Sequence, residues 1–173
     1  MNTELIRRQA LRFLFFVLVQ VLVLKQIILG DDILKYVHLF LYPMFVFLLP
    51  IRTQSAIVVT LSFLMGTTID IFYNSLGLHT AALVFSGFGR QFVLGLLEPH
   101  RGYGTDETPT LRYQNINWYF TYISIMLFAH LLFYFSVEYF TYVAFFDIIF
   151  NTIFSFVFSA IIIALYQILF NPE

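Results

Sequence analysis

Five side chains able to move protons or hold a metal stand in stretches otherwise almost free of charge: His38, Asp70, His79, His130 and Asp147. Imidazoles and carboxylates are the usual general acids, general bases and, for transition metals such as zinc, ligands. In hydrocarbon they are also the costliest groups to leave without partners. Counting depth at about 1.5 Å of helix per residue puts all five in the outer third of the helices that carry them. Three readings stay open. The five form a structural network that satisfies turn amides and one another. They line a pocket, open to the outside, for a small polar ligand. Or they make a docking surface for a partner's membrane helix or outer segment. No local ligand spacing supports a metal site built from His38, His79 and His130, and no cofactor is expected.

A second pattern is sharper. Asp147, Asn151, Ser155 and Ser159 recur every four residues, which places them on one slowly drifting helix face. The opposite surface is Phe, Ile and Leu, so the stripe is expected to face the bundle interior or a partner through hydrogen bonds. Asn117, Thr121 and Ser124 repeat the pattern more weakly. Ala82 and Ser86 have close-packing spacing, with Gly87, Gly89 and Gly95 following, and Gly66-Thr67-Thr68 offers a matching flat patch. Arg90 is expected to snorkel to the inner headgroups, with an acidic partner as the alternative. Gly-x-Ser-x-Gly, His-Glu-x-x-His and a phosphate loop are all absent, and the chain reads as a non-enzyme.

The elements that must position these residues follow from composition. Of 173 residues, 60% are hydrophobic and 11% charged, with a mean hydropathy of +0.85. A globular domain carries about 25% charged residues. The charges cluster between long uncharged runs, which defines an all-α polytopic membrane protein. The net charge of −1 offers no basic face for nucleic acid, and the lack of cysteine excludes disulfides and thiolate chemistry. Six transmembrane helices are predicted at about 9–29, 36–50, 55–73, 78–97, 114–136 and 143–170. They form one domain over 1–173, with a polar loop at 98–112. The second helix is short and kinked at Pro43. Arg7, Arg8 and Arg12 precede the first span without a small-residue cleavage site, which reads as an uncleaved anchor. Gly30-Asp31-Asp32 and Asn74-Ser75-Leu76-Gly77 read as turns.

With the N-terminus inside, the inner side holds Arg7, Arg8, Arg12, Arg52, Arg90, Arg101 and Arg112, against Lys25 and Lys35 outside. That bias places both termini in the cytoplasm. Tyr113, Trp118 and Tyr119 then form an inner aromatic belt, and Tyr134, Tyr139 and Tyr142 an outer one.

The stretch FLMGTTIDIFYNSLGLHTAALVFSGFGRQFV resembles the core of the MreD family of bacterial rod-shape-determining membrane proteins. Gly66, Asp70, Leu76, Gly77 and His79 occupy the places of the family pattern, and Asn151 fits an asparagine early in the last helix. The abundance of Phe and Tyr departs from the Leu/Ala-rich look of many members. The resemblance implies a non-enzymatic scaffold in the bacterial cytoplasmic membrane, in contact with membrane lipid. It would bind an MreC-like single-span protein and help couple MreB filaments to peptidoglycan synthesis. A penicillin-binding transpeptidase and a SEDS-type glycosyltransferase are the implied synthetic partners. The 98–112 loop, with Arg101, Asp106, Glu107 and Arg112, is either the cytoplasmic handle or a connector. MreD-like proteins resemble in fold the substrate-binding subunits of energy-coupling-factor vitamin transporters, which form the alternative reading. Against it, such subunits carry an Ala-x-x-x-Ala docking surface on the first helix, where this chain has LRFLFFVLVQVLVLK.

Overall fold

The computed structural model describes residues 3–27, 36–104, 107–140 and 145–170. The expected turn at Gly30-Asp31-Asp32, together with Lys35, Asp106 and Tyr142, lies outside them. Every regular element among the described residues is helical. Helix α1 (Thr3–Leu18) widens into a π-helical turn at Val19–Val23 and tightens into a 3₁₀ turn at Leu24–Gln26. It is followed by α2 (Met44–Phe47), α3 (Ser55–Tyr73), α4 (Leu78–Leu96), α5 (Ile116–Tyr139) and α6 (Phe145–Phe170). Four stretches are long and apolar enough to cross a membrane: Arg7–Gln26, Ser55–Tyr73, Ile116–Tyr139 and Phe145–Phe170. Helix α4 has the length, but its Ser, Gly, His, Arg and Gln lower its hydropathy. The chain is therefore a helical membrane protein. The most extensive helix packing is between α3 and α4, followed by α4 with α5 and then α5 with α6.

The second predicted helix, 36–50, is replaced by something else. Only Met44–Phe47 is α-helical, and residues 37–41 have no helical hydrogen bonds. Yet the segment is the most buried part of the molecule: Tyr42, Met44, Val46, Phe47 and Leu48 are fully inaccessible. An apolar run of this length does not distinguish a buried helix from a buried extended chain. Pro43 removes one backbone donor and disfavours the helical region for Tyr42 before it.

Backbone groups buried without partners cost too much to persist, so side chains of the surrounding helices serve them. The amide of His38 donates to Ser155 Oγ at 2.9 Å, and that hydroxyl donates to the Tyr36 carbonyl at 3.2 Å. One helical turn on, the Phe40 amide donates to Ser159 Oγ at 2.9 Å, and Ser159 donates to the His38 carbonyl at 3.4 Å. Two residues of the segment thus keep pace with four residues of α6, a rise of about 6 Å. That is the rise of extended chain. In extended chain, successive peptide groups point to opposite edges. The odd residues accordingly meet the other side, where Gln20 stands in for a neighbouring strand. Its Nε2 donates to the Leu39 carbonyl at 2.8 Å, and its Oε1 accepts from Leu41 N at 2.9 Å and Tyr42 N at 3.3 Å. The π-helical turn of α1 carries this glutamine into the interior, where it is 1% exposed.

The lower half of the segment is tied in the same way. Tyr122 Oη donates to the Phe47 carbonyl at 3.0 Å. Arg90 donates to the carbonyls of Leu49 and Pro50. Arg90 is fully buried, which corrects the expectation that it snorkels to headgroups. The carbonyls at the end of α2 lack helical donors, and Arg90 supplies them; carbonyls, not an acid, receive it.

Removing these side chains should unfold the segment in proportion to the groups they leave bare. Ser155→Ala and Ser159→Ala are each expected to cost about 1–3 kcal/mol, and Gln20→Leu more than either. Thermal unfolding of the purified variants in detergent checks the ranking. Wild-type melting in both serine variants would refute the ladder.

Candidate functional site

The α3–α4 turn gathers the motif residues. Asn74 closes α3 in the left-handed region, at φ 53°, and its N–H returns to the Asp70 carbonyl. Gly77 precedes α4 at φ +83°, a conformation costing a side-chain-bearing residue about 1–2 kcal/mol. The reversal aims the first amides of α4 at Asp70. Its Oδ1 accepts from His79 N at 3.0 Å, Ser75 Oγ at 2.6 Å and His79 Nδ1 at 3.0 Å. Its Oδ2 accepts from Thr80 N at 2.9 Å and Thr80 Oγ1 at 2.6 Å. A carboxylate at a helix N-terminus satisfies orphan amides and complements the helix dipole. Gly66 lies one turn below. A Cβ there would collide with the backbone of Thr80, so the missing side chain is what lets α4 descend onto α3.

His130 belongs to a different contact. It is fully buried in α5, with Nδ1 2.9 Å from Ser86 Oγ and Nε2 3.0 Å from Tyr42 Oη. Ser86 donates to the Ala82 carbonyl at 2.9 Å, so its oxygen accepts from His130 Nδ1–H and Nε2 accepts from Tyr42. Tyr42 stands between the histidines, with its ring 5.5 Å from that of His79 and 5.6 Å from that of His130.

The five-member outer cluster therefore resolves into two groups. Asp70 and His79 pair directly, and His130 joins them through Tyr42. Asp147 lies across the bundle with Tyr36, Tyr139 and Asn151, whose Nδ2 donates to Tyr139 Oη at 3.1 Å and to the Asp147 carbonyl at 2.8 Å. His38 sits exposed between the groups, its ring 5.5 Å from that of Phe135. Among the described residues, no set of three or more His, Asp or Glu could hold a metal.

The four-residue stripe on α6 does face inward: Asn151, Ser155 and Ser159 are buried. Ser155 and Ser159 meet extended backbone, whereas Asn151 reaches Tyr139 on α5. The weaker stripe on α5 turns the other way. Asn117, Thr121 and Ser124 are exposed, while Tyr119, Tyr122 and Met126 fill the interior. Gln20 and Tyr42, both central, drew no notice in the sequence. A lone glutamine in the middle of an apolar span was the available signal.

The 98–112 loop is docked rather than loose. Ile51 N donates to the Glu107 carbonyl at 3.0 Å, and Arg52 donates to the Tyr103 carbonyl at 2.9 Å. Gln114 Nε2 reaches Glu107 Oε2 at 2.9 Å, and Trp118 Nε1 the Leu97 carbonyl at 2.7 Å. Burial pushes the Tyr103 phenol up to about 12, so it remains a neutral donor to the Leu94 carbonyl at 2.8 Å. Arg101 and Arg112 project outward, Arg101 lying 3.6 Å from Glu107.

No family model matches this chain, nor does any curated protein or any solved structure.

Asp70→Asn would set an amide N–H₂ or a single acceptor against donors on both sides, and Gly66→Ala would push the helices apart. Each is expected to cost about 2 kcal/mol or more. Thermal melts of the detergent-solubilised variants would show it, with Asn74→Gly, which keeps the left-handed turn, expected to be close to neutral or stabilising.

Proposed function

We propose that this chain is an MreD-like membrane scaffold, which binds a single-span MreC-like protein and helps couple MreB filaments to peptidoglycan synthesis. The observation that carries the reading is the fate of the motif residues. Gly66, Asp70, Gly77 and His79 converge on one clamp that fixes α4 against α3. Asp70 commits both oxygens to five hydrogen bonds within the chain. A carboxylate so engaged has no free lone pair for a substrate proton. It rigidifies a bundle, as a scaffold requires.

The arrangement fits six crossings of the bacterial cytoplasmic membrane with both termini inside. The segment from Tyr36 to Ile51 runs from the Asn151–Ser155 end of α6 to the Arg90 end of α4 and so counts as the second crossing. As a continuous helix, sixteen residues would reach only about 24 Å, short of a roughly 30 Å hydrocarbon core. Its extended portion makes up the difference. Helices α1 and α3 to α6 supply the other five crossings.

The outward surfaces support a partner within the membrane. Helix α5 turns Asn117, Thr121 and Ser124 outward, where lipid offers them no hydrogen bond. Helix α4 exposes Phe85, Phe88, Phe92 and Leu96 as a ridge. Polar and small groups on one span receive the backbone of another. The exposed Arg101 and Arg112 are the cytoplasmic handle, where cell-wall synthases or MreB would engage. Helix α1 exposes Leu11, Leu14, Leu18 and Leu22, a large-residue face unlike the small-residue docking surface of vitamin-transporter subunits.

The test is gentle extraction of the tagged chain from its native membrane, followed by mass spectrometry of what accompanies it. A single-span protein with a large outer domain, together with cell-wall synthases, is expected. Asn117→Leu/Thr121→Leu/Ser124→Leu should reduce that recovery at least about tenfold while leaving the melting temperature unchanged, since surface changes away from buried features alter stability by about 0.5 kcal/mol or less. ATPase subunits with a membrane coupling protein in place of these partners would overturn the scaffold.

A further inference from the structure

Helices α1 and α3 touch each other only sparsely. Between them runs an apolar groove of about 620 Å³, well within the size of ligand sites. Ala10 and Leu14 stand in one wall and Ile57 and Leu64 in the other, over a floor of Phe45 and Leu49. Phe13 packs edge-on against Phe45, with 5.3 Å between ring centroids, and fixes wall to floor. Both helices belong to stretches long and apolar enough to cross a membrane, so the groove opens toward acyl chains.

Polarity gathers at one end. Gln9 and Thr53 line the groove there. Exposed Arg52 directly precedes Thr53; it donates from Nη2 to the Tyr103 carbonyl at 2.9 Å, which leaves further N–H groups for an anion. Exposed Arg7 lies three residues before Ala10 and seven before Leu14, and so falls on the stripe that forms the wall. Glu107, tied to this end through Ile51, turns its carboxylate to Gln114 and Arg101 instead. At the far end the Thr68 hydroxyl is spent on the Leu64 carbonyl at 2.8 Å, and nothing there asks for a polar ligand. A cationic mouth thus leads into an apolar body.

A docked helix suits this groove poorly. It needs small residues that let backbones approach, and these walls are mostly Leu, Ile and Phe. A helix about 10 Å across and as long as the stretch from Thr53 to Thr68, about 22 Å, would fill roughly 1,700 Å³. The same 22 Å exceeds half of a roughly 30 Å hydrocarbon core, so an acyl chain of one leaflet can lie along it for its whole length.

We propose that the groove between α1 and α3 binds an anionic phospholipid, with one acyl chain in the groove and the phosphate between Arg7 and Arg52. The faces assigned to protein partners lie on α4 and α5, so the inference does not depend on the scaffold reading.

The experiment takes the full chain, delipidated in detergent, and adds dioleoyl phosphatidylglycerol, dioleoyl phosphatidylcholine or glycerol phosphate. Native mass spectrometry counts the molecules retained per chain, and the melting temperature reports their effect on the fold. Phosphatidylglycerol is expected to bind at least about tenfold more tightly than either of the others and to raise the melting temperature. A basic residue near an anionic headgroup strengthens attachment about fivefold, so Arg7→Gln/Arg52→Gln should weaken phosphatidylglycerol about tenfold or more and leave phosphatidylcholine unchanged. Ala10→Phe fills the groove without removing either arginine and should weaken both phospholipids about tenfold. All three positions are exposed, so the lipid-free melts should match the wild type. Equal binding of the two phospholipids, or undiminished phosphatidylglycerol binding in the arginine variant, overturns the anionic headgroup. Glycerol phosphate bound as tightly as phosphatidylglycerol overturns the acyl chain. Unchanged affinity in Ala10→Phe overturns the groove, and no binding of phosphatidylglycerol overturns the proposal outright.

Discussion

A length of extended backbone buried among helices sets the terms for this fold. Water is absent, and the segment from Tyr36 to Ile51 cannot satisfy itself as a continuous helix would. Its peptide groups must be met by side chains from outside. Gln20, Arg90, Tyr122, Ser155 and Ser159 do this from four different helices. Each partner fixes the rotation of its own helix, because a hydroxyl or amide must point at a particular peptide. The central segment acts as a template, and the helices are registered against it as strands are registered in a sheet.

The α3–α4 clamp is the second fixed point, and the two are joined. Tyr42 ends the extended stretch and reaches His130, which reaches Ser86 on α4. Tyr73, at the end of α3, accepts from Gln20 at 2.8 Å. The half of the molecule that carries the α3–α4 turn is thus one hydrogen-bonded network running from α1 through the segment to α3, α4 and α5. Gly66 and Gly77 permit the close approach and the reversal on which it rests.

Much of this was legible in the sequence, and what was missed has physical causes. The helices expected at 55–73 and 78–97 and the turn between them were readable because glycine, asparagine and charge punctuate them. The inward face of Ser155 and Ser159 followed from their spacing. Their target did not, because a helix partner and an extended one ask for the same hydroxyls. The run 36–50 reads as a helix since apolar residues carry no period when every face is buried. Arg90 misled because a long cation near a helix end usually finds headgroups, and nothing in its neighbourhood announces two bare carbonyls some forty residues earlier. The histidines and aspartates were grouped in the sequence by counted depth alone, which says nothing of azimuth, and Asp147 proved to be on another side from Asp70.

The order in which these partners are made has a consequence for biogenesis. In the proposed six-crossing topology, a ribosome delivers residues 36–51 to the membrane when only Gln20 exists to receive them. Arg90, Tyr122, Ser155 and Ser159 are all synthesised later. The usual picture, in which each span inserts as a finished helix and the helices then associate, does not apply to this stretch. It must wait, as a provisional helix or at the protein-conducting channel, and be recast once α6 emerges. Helix α6 thereby completes a part of the chain made well before it, and a chain truncated before Ser155 would lack the edge against which its own interior is laid down.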